Sequence, residues 1–163
     1  MRHVPLCNDK RASQAMLNDV LLKVERKRAG LVDPTEDQMK WPIEKHLDDF
    51  ERHQKGKNNS PHCVDELVTK VRRVVNTVGW RTMAQITASD VEGFLADLRE
   101  KEGLSVQPSN HYLRAIKSFV IWLVRNKRLL SNPLDGVSML NVRVDQEERA
   151  AAIRKLGGLP LAT

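Results

Sequence analysis

The chain has 163 residues, of which 40% are hydrophobic and only 4% aromatic, so its core must be built mainly from Val, Leu, Ile and Ala. Lys and Arg (27) outnumber Asp and Glu (21), and the formal charge of +6 favours an anionic partner, although charge alone does not distinguish nucleic acid from a membrane surface. Cys7 and Cys63 form no CxxC pair and no apolar run could span a bilayer, which argues against a disulfide framework or a membrane protein and favours a soluble, cytoplasmic one.

The first predicted helix runs from Ser13 to Ala29. Its apolar residues recur at helical spacing, and Gly30 supplies a C-terminal stop. The apolar residues are Met16, Leu17, Val20, Leu21 and Val24. An acidic connector, Leu31 to Lys40, is expected to follow.

The second predicted helix begins at Pro42, since a proline is tolerated in the first turn of a helix. Ile43, Leu47 and Phe50 then form an i, i+4, i+7 apolar stripe. We expect this helix to end near Gly56.

The third predicted helix is rich in valine. Asn59 and Ser60 are suitable N-cap residues, Pro61 suits the first helical position, and Gly79 closes the helix. The apolar face comprises Val64, Leu67, Val68, Val71, Val75 and Val78. So many β-branched residues would also suit a strand, but the period and the length of the run favour a helix.

Two further helices complete the predicted core. Thr87 or Ser89 caps a helix that stops at Gly103, and Ser109 is expected to cap the longest helix. Their inward residues are Val91, Phe94, Leu95 and Leu98 in the first, and Leu113, Ile116, Phe119, Val120 and Leu123 in the second.

The chain loses its regular pattern at Asn132-Pro133, because a residue before proline avoids the helical region. Leu134 to Val144 is interpreted as a short turn or helix followed by an extended linker. The tail from Arg149 to Thr163 is expected to be either a frayed end or a single docked helix.

These elements predict an all-α protein, an orthogonal bundle of four to five helices with an additional N-terminal helix. The expected division is residues 1–40 for the N-terminal helix and connector, 41–137 for the bundle, and 138–163 for the linker and tail.

The charges are unevenly distributed along the chain. Between Glu102 and Asp135 there is no acidic residue, and the window contains Arg114, Lys117, Arg125, Lys127 and Arg128. A helix whose polar face is wholly cationic is a candidate for contacting phosphates. A second basic concentration, partly offset by acidic neighbours, comprises Arg52, Lys55, Lys57, Lys70, Arg72 and Arg73. Ordinary solvated faces remain an equally good explanation of the charges by themselves.

Several local motifs follow one another in a defined order. They are Asp9 to Ala12, Ala29 to Pro34, His46 to Phe50, Lys57 to Pro61, Ile86 to Val91 with Phe94-Leu95, Asn110 to Phe119 with Trp122-Leu123, and Asn132-Pro133-Leu134 with Val137. Together they resemble the N-terminal core-binding, SAM-like domain of tyrosine recombinases of the phage integrase type.

The resemblance implies double-stranded DNA as partner. In that family the core-binding domain forms one jaw of a clamp around DNA, a catalytic domain forms the other, and recombinase protomers can associate. The domain's second and fourth helices contact DNA there. The implied DNA-binding residues are His62, Thr69, Lys70, Arg73, Ser109, Asn110, Arg114 and Lys117. The sequence departs from the family pattern after Asp145, where a catalytic domain would follow, so we expect no catalytic residue and no recombination chemistry in this chain.

The sequence gives little support for a catalytic site, a metal site or base stacking by tryptophan. His111-Tyr112-Leu113-Arg114 matches the family's catalytic His-x-x-Arg motif, but it lies in the DNA-binding helix, and packing explains it better. We therefore expect Tyr112→Phe to leave DNA affinity nearly unchanged. His46, His53 and His62-Cys63 lack a zinc-ligand spacing, so neither a metal nor a cofactor is expected. The three tryptophans, Trp41, Trp80 and Trp122, are expected to serve in packing rather than base stacking.

Two alternatives to the DNA-binding module stay open. A helical protein-interaction module with the same fold would show negligible DNA affinity and an exposed apolar patch. A helix-turn-helix regulator is less consistent, because a whole helix separates the two candidate DNA-binding helices.

Overall fold

The structure is a computed structural model that describes residues 10–31 and 34–157. Within these residues it contains seven α-helices and no strand, which confirms the all-α prediction. The helices are α1 (Lys10–Arg28), α2 (Pro34–Met39), α3 (Ile43–Lys55), α4 (Pro61–Val78), α5 (Ala88–Glu100), α6 (Val106–Arg125) and α7 (Val142–Gly157), and a 3₁₀ turn spans Met83–Gln85.

Helices α3 to α6 form the bundle. The most extensive packing is between α4 and α6, while α3 and α5 each contact both of them. Apolar residues from all four helices meet in one core, in which Leu47, Val71, Ile116 and Phe119 are fully buried. The Phe50 and Phe119 rings meet edge to face with centroids 5.3 Å apart, so α3 and α6 are joined by the largest of the fully buried side chains.

The predicted helix boundaries of α3, α4 and α5 are largely confirmed. Gly56 follows α3, and Pro61 occupies the first turn of α4. Gly79 ends α4 in the left-handed region at φ 85°, which glycine adopts without a steric penalty. Thr87 is the N-cap of α5 and its hydroxyl accepts a hydrogen bond of 3.2 Å from the Asp90 amide.

The predicted start of α6 is wrong. The helix begins at Val106 with Ser105 as its N-cap, so Ser109 lies inside the helix rather than capping it. Pro108 falls in the first turn, where a proline removes no helical hydrogen bond and therefore does not mark a boundary.

Two segments predicted to lack regular structure contain helices. The acidic connector includes the short α2, and Val142, predicted to lie in an extended linker, begins α7. The start of α7 is held to the start of α6, because Asp145 Oδ2 accepts a hydrogen bond of 3.2 Å from the Val106 amide. Arg149 also donates to the Leu104 carbonyl at 3.2 Å. The tail from Arg149 is therefore helical to Gly157 and contacts the bundle through Arg149, while residues 151–157 are exposed and residues 158–163 lie outside the described ones.

Helix α1, like α7, has no buried residue. Its apolar side chains Met16, Leu17, Val20, Leu21 and Val24 are 37–51% exposed. No helix in the described part of the chain is long and apolar enough to cross a membrane.

Candidate nucleic-acid interface

The outer face of α6 carries positive charge and no negative charge. Its 20 residues include no Asp or Glu. Arg114 and Arg125 are exposed, Lys117 is half-buried, and none of the three forms an ion pair with any residue that the structure describes. These cations are therefore available to an external anion.

An open groove of about 330 Å³ lies between α4 and α6 and is called the α4–α6 groove here. Cys63, Glu66 and Lys70 line its α4 side, and His111 and Arg114 line its α6 side. Lys70 donates a hydrogen bond to Glu66, which lowers the pKa of that carboxyl and keeps it ionised. The groove is therefore cationic on the α6 side and largely neutralised on the α4 side.

A larger groove of about 670 Å³, called the α3–α6 groove, also includes Arg114 and extends from it to the end of α3. Its lining includes His53, Lys57, Lys117 and Arg125 and contains no acidic residue. Because Arg114 lines both grooves, they form one continuous surface, called the basic surface below. A continuous cationic surface of this kind suits a polyanion.

The structure places three of the eight implied DNA-binding residues on the basic surface. Lys70 and Arg114 line the α4–α6 groove, and Arg114 and Lys117 line the α3–α6 groove. His62 and Thr69 are exposed on α4, outside both groove linings.

Arg73 already forms hydrogen bonds with other residues of the chain. Its guanidinium donates to Glu102 at 2.6 Å and to the Tyr112 hydroxyl at 2.8 Å, and it lies 5.4 Å from the centroid of the Tyr112 ring. The hydrogen bonds to Glu102 and Tyr112 raise the pKa of Arg73. This residue joins α4 to the end of α5 and to α6, so it positions the two helices.

Ser109 and Asn110 are buried, contrary to the expectation that they stand at an exposed helix start. Ser109 accepts a hydrogen bond of 3.0 Å from Arg99. Asn110 donates to the Leu140 carbonyl at 2.8 Å and accepts from the Leu140 amide at 3.1 Å. Both side chains join α6 to neighbouring segments, and their burial leaves no surface for a phosphate.

Half of the second basic concentration, namely Arg52, Lys55 and Arg72, is neutralised by carboxylates of α3. Lys55 pairs with Glu51 at 2.6 Å, and Arg72 donates to Glu44 at 2.9 Å and to Asp48 at 2.8 Å. Only Lys57 from this group joins Lys70 on the basic surface.

Arg128, which the sequence groups with the cations of α6, is engaged in contacts within the chain and has a structural role. Its guanidinium donates to Asp49 at 2.7 Å, lies 3.1 Å from His46 Nδ1, and stacks 4.7 Å from the centroid of the Trp122 ring. It joins the turn after α6 to α3.

The implied residue set omitted His53, Lys57 and Arg125. Arg125 had a usable signal, because it follows Arg114 by eleven residues, or three helical turns, and therefore shares its face. Lys57 had only its place in the second basic concentration and His53 had no signal, since only the packing of α3 against α6 brings them to the groove.

The remaining sequence candidates have packing roles. Tyr112 is half-buried and its ring meets Phe94 with centroids 5.7 Å apart, which confirms the packing interpretation. Trp80 and Trp122 are buried, as expected.

His46 is fully buried, its Nε2 lies 3.0 Å from the Gln38 carbonyl, and desolvation by burial lowers its pKa. Among the described residues there is no group of three or more His, Cys, Asp or Glu that could hold a metal ion.

Comparison with known families gives one match. The family model described as phage integrase, N-terminal SAM-like domain, matches residues 46–128, just over half of the chain. The matched segment runs from α3 to Arg128 and contains α4, α5, α6 and most of the basic surface. No curated protein and no solved structure matches the chain significantly.

Proposed function

This chain belongs to the family of phage integrase N-terminal SAM-like domains, and on that premise we propose that it binds double-stranded DNA through the basic surface, as the core-binding half of a site-specific recombinase. The observation that carries the proposal is α6, a helix of 20 residues without a single acidic side chain and with Arg114, Lys117 and Arg125 directed outward or to the groove.

Elementary electrostatics explains why such a helix suits DNA. Each phosphate that a protein cation neutralises releases condensed counterions, so binding is favoured by the entropy of the released salt. An α-helix also fits into the major groove, which is about 12 Å wide. Cations already paired with carboxylates, such as Arg72, release no counterion and contribute little.

The implied site residues divide into two groups under this proposal. Arg114 and Lys117, which form no ion pair among the described residues, contact DNA directly, Lys70 contributes less because it is paired with Glu66, and His62 and Thr69 flank them on α4. Arg73, Ser109 and Asn110 hold α4 and α6 in place through their internal hydrogen bonds. We extend the contacting group by Lys57 and Arg125.

We further propose that this chain binds DNA without cleaving it. A tyrosine nucleophile must reach a phosphate, and the single tyrosine of the sequence, Tyr112, is half-buried and hydrogen-bonded to Arg73. Strand cleavage would then depend on a catalytic domain and on other recombinase protomers. We also propose residues 41–137 as the independently folding DNA-binding unit.

A salt-dependent binding experiment tests the proposal. Fluorescence anisotropy of a labelled duplex is measured across a salt series for the wild-type chain and for Arg114→Ala/Lys117→Ala. Loss of two phosphate contacts should reduce the slope of log K against log salt concentration by about 2. Arg81→Ala/Lys101→Ala removes the same charge from exposed positions outside both grooves and should leave the slope nearly unchanged.

The exposed apolar face of α1 favours a second candidate function, a protein-interaction module. The same titration separates the two functions. Salt-sensitive binding that the groove variant weakens supports the DNA-binding domain, whereas no binding at low salt would leave the interaction module as the better explanation. Equal loss in both variants would show that DNA binds elsewhere than the basic surface.

A further inference from the structure

We propose that the α3–α6 groove is a phosphate-binding site in which the indole N–H of Trp122 donates a hydrogen bond to a DNA backbone oxygen. This inference rests on the proposed DNA-binding function and assigns one subsite within it. Lys57, Lys117 and Arg125 supply the positive charge around that oxygen.

The first observation is an unsatisfied donor. Trp122 is 7% exposed, and its Nε1 atom is buried without a hydrogen-bond partner among the described residues. An indole N–H can only donate, so an acceptor has to come from outside the described chain. Buried polar groups almost always have a partner, which makes the unpaired N–H of a residue that lines a groove a candidate contact for a ligand or water.

The second observation is that the Trp122 ring is fixed in place. Its centroid lies 5.4 Å from that of Phe50 and 6.2 Å from that of Phe119, and the Arg128 guanidinium lies 4.7 Å away. Rings packed on several sides cannot turn to search for a partner. The donor is therefore preorganised, and binding a phosphate costs little additional side-chain entropy.

The third observation is the charge of the groove lining. His53 and Lys57 come from the end of α3 and the segment after it, and Lys117 and Arg125 come from α6. No acidic residue lines the groove, so an anion meets no repulsion there. Hydrogen bonds between an ionised acceptor and a fixed donor are among the stronger ones in proteins.

The position of the groove favours a DNA phosphate over an isolated anion. Arg114 connects this groove to the α4–α6 groove, and Arg125 lies eleven residues further along α6, about 16 Å along the helix axis. That span exceeds the roughly 12 Å width of the major groove. When α6 crosses the major groove, Arg114 and Arg125 therefore lie over phosphates at opposite borders, and the Arg125 end of the α3–α6 groove faces the backbone. The Trp122 nitrogen is covered in the free chain, so the phosphate displaces what covers it.

Nuclear magnetic resonance gives a direct test, because each tryptophan indole contributes one ¹H–¹⁵N signal. A mixed-sequence duplex is titrated into the ¹⁵N-labelled full chain, with Trp122→Phe used to assign the signal. We expect the Trp122 indole signal to move more than those of Trp41 and Trp80, which lie outside this groove and serve as internal controls. In Lys57→Ala/Arg125→Ala, which leaves the core untouched, the displacement should be largely lost.

A parallel anisotropy titration separates the possible failures. The Lys57→Ala/Arg125→Ala variant should lower the salt slope by about 2 and weaken all duplex sequences equally, as expected for phosphate contacts. If the duplex binds with salt dependence but the Trp122 signal stays in place and this variant keeps its slope, the subsite is wrong and the DNA-binding function stands. If the wild-type chain binds no duplex at low salt, both are wrong.

Discussion

Arg114 and Arg128 are fourteen positions apart in the sequence, and their surroundings are opposite. Arg114 is exposed between two grooves without a described ion-pair partner, whereas Arg128 is bound to Asp49 at 2.7 Å and stacked on Trp122. The same residue type thus contributes either binding charge or internal structure. Its role depends on which side chains meet it from other helices.

Arg128→Ala should destabilise the fold by about 1–3 kcal/mol, because it leaves the mostly buried Asp49 carboxylate with only its longer, 3.5 Å contact to Arg52 and removes a donor to His46. Urea denaturation followed by circular dichroism measures the change. The nearby Arg125→Ala should stay within about 0.5 kcal/mol of wild type. Equal effects of the two substitutions would contradict the structural role of Arg128.

The free energy of unfolding should decrease as the pH is lowered, because His46 then becomes protonated. Arg128 can only donate, so His46 Nδ1 accepts from it and Nε2 donates to the Gln38 carbonyl, which requires the neutral ring. Burial lowers the pKa of His46 in the folded state, and Arg128 and Lys45 also oppose its protonation, while the Gln38 carbonyl and Asp49 favour it. The contribution of His46 to stability is therefore complete above the unfolded pKa of about 6.5 and is lost as the pH falls from there through the lower pKa of the folded state.

Thermal denaturation at about pH 7.5 and 5.5 checks this, since ordinary carboxyls titrate mainly below that range. The melting temperature of the wild type should drop more than that of His46→Gln, which removes the titrating group. An NMR titration that placed the His46 pKa at or above its ordinary value would refute the prediction.

At the scale of helices, the start of α6 is fixed by side chains that the sequence suggested for DNA binding. Asn110 forms two hydrogen bonds with the backbone of Leu140, and Ser109 accepts one from Arg99. Together with the contact between Asp145 and Val106, these bonds hold α5, α6 and the chain leading into α7 at one end of the bundle. They set the position of α6, and with it the orientation of the basic surface.

Asn110→Ala should therefore reduce stability by about 1–3 kcal/mol, since it removes the two hydrogen bonds between the buried Asn110 side chain and the Leu140 backbone. Hydrogen exchange should show faster exchange of the Leu140 amide. Asn76→Ala, at an exposed position of α4, is the matched control and should change neither quantity appreciably. Unchanged protection of Leu140 in the Asn110 variant would show that these hydrogen bonds do not hold the segment.

On the scale of the whole molecule, stability is concentrated in α3 to α6. The buried apolar residues lie between Ile43 and Val137, and α1 has no buried residue. An isolated helix of this length is marginal in water, so α1 should open locally far more often than the bundle.

Limited trypsin digestion should consequently cut α1 first, at Lys23 or at the basic run Arg26 to Arg28, and leave a fragment that contains α3 to α6. Mass spectrometry identifies the sites. Early cleavage inside α4 or α6, at Arg72 or Lys117 for example, would contradict a stable bundle.

Much of the fold could be predicted from the sequence because it depends on local chemistry. The period of the valines defines α4, Pro61 and Gly79 mark its ends, and Thr87 caps α5, since each of these signals acts within one or two helical turns. The ordered motifs also indicated the family that residues 46–128 match. The absence of acidic residues from α6 pointed to the side of the molecule where the candidate site lies.

Only the tertiary structure decided which of those residues are available at the surface. Arg73 meets Glu102, Asn110 meets Leu140, and His53 reaches the groove beside Arg125, all across distances in sequence that no local pattern encodes. The sequence by itself determined the helices, because backbone hydrogen bonds and caps are local. Burial and ion pairing depend on which helices pack together, so the division of the cations between binding and structure was settled by the packing of α3, α4 and α6.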